Sequence, residues 1–196
     1  REPHPVSRLR DKILAHAEDF ACQSAVDFAK AEFEAHQKGE PLHPDIAAGV
    51  LQTAAKTMGF NAINWIFNRF DKAETEHERI NLLSAVGCAA DLGQFESILD
   101  FTLKKVPERI RHIPVASLGA NSVMLDSLVD AYLENRKELE NLHPIIYERV
   151  LLSVVSVAGT RAPSAIREDL EIQKSAKSPV SAAIDLALER LAVNLR

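Results

Sequence analysis

Residues 75–83 read Thr-Glu-His-Glu-Arg-Ile-Asn-Leu-Leu, and within them His77-Glu78-x-x-Asn81 stands one residue away from the His-Glu-x-x-His pattern of zinc hydrolases. That chemistry needs imidazoles at i and i+4, because this spacing sets both on one helical face with the intervening Glu placed to activate a bound water. Asn81 occupies the second position, an amide is a poor zinc ligand, and no neighbouring His or carboxylate replaces the lost imidazole. The same residues form another pattern: Thr75 as a helix N-cap with Glu78 three residues on is a capping box, with acidic residues in the first turn. The stretch is expected to be a helix start without a metal.

Other chemistry has little local support. The histidines, at positions 4, 16, 36, 43, 77, 112 and 143, form no HxH or HxxxH pair and are expected at surfaces and helix ends. Neither a GxSxG elbow nor a Gly-rich phosphate loop occurs. Cys22 and Cys88 lack a companion pair and are expected as buried free thiols, compatible with the cytosol. Glu168 with Asp169, and Glu138 with Glu140, point in different directions on a helix and are expected to be solvated. No catalytic residue and no metal ligand is identified in this chain.

Charge excludes a further class. A net charge of -5 argues against affinity based on phosphate neutralisation. The one basic run, Lys104, Lys105, Arg109, Arg111 and His112, reads as a solvated helix end rather than a nucleic-acid site. No apolar run approaches the roughly 20 residues that span a bilayer, so no membrane segment is expected.

The elements that carry these residues read as helices. Aromatic content is only 6%, so Ala, Leu, Ile and Val must fill the core. Prolines at His143-Pro144, Pro163, Pro107-Glu108, Pro44-Asp45 and Ser178-Pro179 sit where helices open, because a first-turn proline gives up no useful N–H. Helical stripes run through Leu9, Ile13 and Ala17, through Ala25, Phe28 and Ala29, through Leu82, Leu83, Val86 and Ala90, and through Val180, Ile184, Ala187, Leu188, Leu191 and Leu195. Residues 147–158 are rich in β-branched side chains, yet their length and flanks favour a helix buried on most sides. His43-x-x-Ile46 with Gly59 recurs 34 positions on as His77-x-x-Ile80 with Gly93, each Gly read as a helix end. A period of this size, without the tetratricopeptide consensus, predicts a HEAT-like array. The expected fold is all-α, a right-handed α-solenoid of antiparallel helix pairs with about a dozen helices, in one domain over 1–196. The opening Arg1-Glu-Pro-His-Pro, without an initiator Met, predicts a piece of a longer polypeptide.

With helices and breaks placed, the order of residues from Leu9 to Leu195 resembles the C-terminal helical domain of the zinc aminopeptidases, most closely the puromycin-sensitive and fungal branch. The resemblance runs through Leu9-Arg10, Phe33-x-x-His36-x-x-Gly39, Leu42, Asp45-Ile46, Val50 and Ala54. It continues through Glu78-Arg79, Leu82-Leu83-x-Ala85-Val86-Gly87, Ile98-Leu99-x-Phe101-x-Leu103 and Ile110-Arg111. Asn121, Asp126 and Asn135, and the closing segment Ile184 to Asn194, complete it. Ile113-Pro114 replaces the family's Gln-Asp after Arg111, Met124-Leu125 its Gly-Arg, and Val129 and Arg136 its tryptophans. The resemblance implies a non-catalytic curved stack that closes over a catalytic domain in the same parent chain and helps enclose and bind peptide substrates. That parent would carry zinc at HExxH with a downstream Glu, and a GxMEN segment; this chain has neither motif and no cofactor of its own. Arg111 is the residue expected to orient substrate, since a guanidinium holds a carboxylate bidentately, the alternative being a structural ion pair. The rival readings are a stand-alone HEAT-like scaffold for a protein partner, and the domain of an inactive aminopeptidase homologue. Exposed apolar docking surface favours a domain of a larger protein, and polar capping helices favour the scaffold.

Overall fold

The computed structural model describes the backbone of residues 4–16, 19–20, 22–176 and 178–196, with side chains from Leu9 onward. Among the described residues there are eleven α-helices and no strand. Contacts gather them into two compact units, residues 1–94 and 95–196.

The first unit holds α1 (His4–Ala15), α2 (Gln23–Gln37), α3 (Ala47–Met58), α4 (Phe60–Phe70) and α5 (Glu76–Val86). Helix α1 packs on α3 and α3 on α5, forming one layer, while α2 and α4 pack against α3 from the other. Phe33 of α2 meets Trp65 of α4 edge to face with ring centroids 5.0 Å apart, linking the second layer. Contact with next-but-one helices in two layers is the packing of an α-solenoid, in which no helix buries its apolar stripe alone. Gly49 lets α1 approach: a Cβ there would collide with the Asp11 carbonyl oxygen and lie 2.8 Å from the Leu14 Cβ. Across this contact the Gly49 N–H donates to Asp11 Oδ1 at 2.6 Å and the Thr53 hydroxyl to the Leu14 carbonyl at 2.6 Å.

The second unit holds α6 (Phe95–Lys104), α7 (His112–Gly119), α8 (Leu125–Leu139), α9 (Pro144–Val155), α10 (Pro163–Ser175) and α11 (Ser181–Asn194). The layering repeats: α7 packs on α9 and α9 on α11, with α8 against α7 and α9 and α10 against α11. Helix α9 is the valine-rich segment. It buries Ile146, Tyr147, Val150, Leu151, Val154 and Val155, and opens with Pro144 at its first position under a cap from the His143 ring. Tertiary burial here overrides the weak helical preference of β-branched residues.

Several expectations need correction. Leu9 and Ile13 are more than half exposed; α1 buries Leu14 instead, and Ala17 lies outside the described residues. Phe28, Ala90 and Leu195 are likewise exposed, and α2 buries Val26 and Phe33 with Ala29 rather than the stripe through Ala25 and Phe28, whereas Ile184, Ala187 and Leu191 are buried on the face expected. Helix α11 begins at Ser181 rather than at Pro179, because Ser178 closes a turn by accepting from the Val180 and Ser181 N–H groups. Helix α3 likewise begins three residues beyond Pro44. Gly59 has φ +58 and breaks α3 from α4, but Gly93 sits in a 3₁₀ turn and α5 already ends at Gly87. The 34-residue register therefore does not align the helices. Cys22 is exposed and Cys88 half-buried, not buried thiols.

Candidate functional site

At the His-Glu-x-x-Asn stretch, Thr75 is the N-cap of α5 and its hydroxyl accepts from the Glu78 N–H at 3.1 Å. The reciprocal arm of the capping box is displaced. Glu78 Oε2 accepts from the Glu74 N–H at 3.2 Å, while Oε1 pairs with Arg69 Nε at 2.6 Å. His77 is exposed and Asn81 buried. Among the described residues no group of three or more His, Cys, Asp or Glu side chains is arranged to hold a metal.

Arg111 lies between a 3₁₀ turn, Glu108–Ile110, and the start of α7. Its Nη2 donates to the Val106 carbonyl at 3.3 Å, and its Nε is buried without a partner. No carboxylate pairs with it among the described residues, so the structural ion pair is not what holds it. The side chain edges a cavity of about 30 Å³ walled by residues such as Leu103, Leu128 and Val154. That volume suits about one water molecule. Beside it, His112 has Nδ1 buried without a hydrogen bond and Nε2 3.3 Å from Arg149 Nη1. Burial first, and then the Arg149 charge, hold its pKa below the usual histidine value.

A second polar cluster was not expected. Tyr132 of α8, Tyr147 of α9, and Asp169 and Gln173 of α10 are all at least nine-tenths buried. Gln173 Nε2 donates to Asp169 Oδ2 at 2.7 Å and to the Tyr132 hydroxyl at 3.3 Å. The Tyr147 hydroxyl donates to Gln173 Oε1 at 2.8 Å, and the two tyrosine oxygens lie 3.3 Å apart. Arg136 Nε pairs with Asp169 Oδ1 at 3.0 Å and its Nη1 reaches Glu140 Oε1 at 3.4 Å. Asp169 is thus the correction to the solvated Glu168-Asp169 pair: its side chain faces α8, while Glu168 faces solvent. Burial raises the Asp169 carboxyl above its ordinary value despite the opposing Gln173 hydrogen bond and Arg136 charge, and it raises both tyrosines. One signal was available in the sequence. Asp169 and Gln173 stand at i and i+4, and the chain's two tyrosines both fall in aliphatic helices, where a buried hydroxyl requires a partner.

The fold and these clusters define a helical-repeat domain with no assembled catalytic constellation among the described residues. The ERAP1-like C-terminal domain family matches residues 1–179, and the chain belongs to that family, the non-catalytic C-terminal domain of the M1 aminopeptidases. No curated protein matches the sequence. Among the described residues, no helix is long and apolar enough to cross a membrane.

Proposed function

We propose that this domain closes over the catalytic domain of a zinc aminopeptidase of the puromycin-sensitive and fungal branch, and helps enclose and bind its peptide substrates. The observation that carries the reading is the family match over residues 1–179. The layered helices support it, since stacked helix pairs present an extended wall of side chains. Leu9, Ile13 and Phe28, all about half exposed in the first unit, supply apolar surface of the kind that docks on another domain. Zinc belongs to the catalytic domain in this reading, and the partner is that domain within the same parent chain.

Arg111 is the residue proposed to orient substrate. Among the described residues its guanidinium has no carboxylate partner, which supports a role toward an incoming peptide carboxylate, and the small cavity beside it would have to open for that contact. Sequencing the source transcript upstream of the Arg1 codon tests the wider reading. An in-frame HExxH with a downstream Glu and a GxMEN segment is expected; a start codon immediately upstream would replace the reading with a stand-alone scaffold. For Arg111, Arg111→Ala in the full enzyme is expected to shift the preference for peptide length, and an unchanged preference removes the assignment.

A further inference from the structure

The cluster around Arg136 opens onto a pocket of about 380 Å³ where α8 ends, α9 begins and α10 ends. Its polar lining is Arg136, Glu140, Tyr147, Gln173 and Ser178; its apolar walls include Leu142, Pro144 and Ile172. We infer that this pocket binds one apolar residue within a neutral stretch of peptide, the residue's carbonyl accepting from Arg136 Nη2 and its own N–H donating to Glu140. The inference deepens the peptide-binding reading above and rests on it for the class of ligand.

Two observations select this ligand. Arg136 Nε is held by Asp169 and Nη1 faces Glu140, while Nη2 has no hydrogen-bond partner among the described residues. Beside that free donor, Glu140 offers a part-exposed acceptor at 3.4 Å from the guanidinium. A donor and an acceptor side by side match the N–H and C=O of one extended residue, which point the same way on either side of its Cα. Charge rules against the alternatives. One guanidinium already meets two carboxylates, so a further carboxylate enters a net negative pocket, while a cation must lie against Arg136 itself.

The buried network gives the pocket its rigidity. Asp169 fixes the guanidinium plane, Gln173 fixes Asp169, and the tyrosines fix Gln173. Four polar side chains taken out of water in a helical core are costly unless fully paired. Paired as they are, they hold one donor at a pocket mouth, which is how a binding group is pre-organised.

The test is an NMR titration of the 196-residue chain with N-acetyl-leucine-N-methylamide and, separately, with N-acetyl-leucine carboxylate. Saturable shifts are expected at Ile172, the Gln173 side-chain amide and Arg136 Nε for the amide, with the acid weaker by about fivefold or more. Because Arg136→Ala endangers folding, Glu140→Gln is the decisive variant: it is expected to bring the acid close to the amide. The absence of saturable shifts at these residues, equal binding of acid and amide to the unaltered chain, or an unchanged gap in Glu140→Gln overturns the inference. An upstream sequence lacking the aminopeptidase motifs, with the amide still bound here, would defeat the wider reading and leave the pocket standing.

Discussion

The chain's two tyrosines, Tyr132 and Tyr147, each 2% exposed, both belong to the buried network, so alkaline titration reads that network without interference. Burial raises both hydroxyls above the ordinary value near 10. In the unfolded chain each ionises at about pH 10. The linkage sign follows: a folded pKa above the unfolded one leaves stability intact below pH 10 and removes it as pH rises beyond. Each silent tyrosine costs about 1.4 kcal/mol per pH unit above that point. Tyr132 alone costs about 2.7 kcal/mol by pH 12, a large share of the roughly 5 to 15 kcal/mol that holds an ordinary domain, and Tyr147, raised in the same direction, adds to it. Tyrosinate absorbance is therefore expected to stay flat through pH 10 and then to appear in one cooperative step together with loss of helical circular dichroism in the second unit. Tyr132→Phe should halve the amplitude of the step without introducing an earlier one. A tyrosinate signal centred near pH 10 with helicity intact would refute the buried network.

Gly49→Ala is expected to destabilise the packing of α1 on α3 by about 1 to 3 kcal/mol, although Ala is the better helix former, because the new methyl meets α1 backbone. Faster hydrogen exchange across α1 and a lower denaturant midpoint check this. Gly119→Ala, whose Cβ would lie 2.7 Å from the Ser153 carbonyl of α9, should cost a similar amount in the second unit. Asp169→Ala strands Arg136 beside α10 and is expected to cost about 3 kcal/mol by denaturant titration, the low end for a broken buried pair because Glu140 remains. His112, with its folded pKa lowered chiefly by burial, makes the protein lose stability as pH falls through the unfolded value near 6.5. His112→Gln should flatten melting temperature between about pH 7.5 and 5.5 relative to the unaltered chain.

What the sequence made legible was set by periodicity and by local chemistry. Pro144 and Pro163 open helices where proline can only be a first-turn residue, and Thr75 caps α5 through a bond within four residues. Such contacts are short in sequence and carry their own signature. The errors fall where a local pattern had two outcomes. Leu9 and Ile13 share a stripe with Leu14 close by, and which side of α1 is buried depends on Gly49, 38 residues beyond Asp11. The pairing of Asp169 was hidden for the same reason: its cation lies on α8, a helix distant in sequence, and neighbouring acids look alike until a neighbour covers one of them.

That difference bears on how such a domain gains specificity. A stack in which helices meet their near neighbours can be built from aliphatic stripes alone, and in the first unit α2 and α4 are joined by an aromatic pair. In the second unit the equivalent link between α8 and α10 is an ion pair backed by two tyrosines and a glutamine. Apolar residues of similar volume would hold those helices at least as well. Stability therefore does not account for the polar choice, whereas a guanidinium held with one donor facing a pocket does. The same substitution that weakens the lock should thus weaken amide binding before it unfolds the helices, and Gln173→Leu separates the two. It keeps the core filled but unpairs Asp169 Oδ2 and the Tyr147 hydroxyl, and is expected to lower affinity for N-acetyl-leucine-N-methylamide by about tenfold while costing about 1 to 3 kcal/mol of stability with the helices retained at neutral pH.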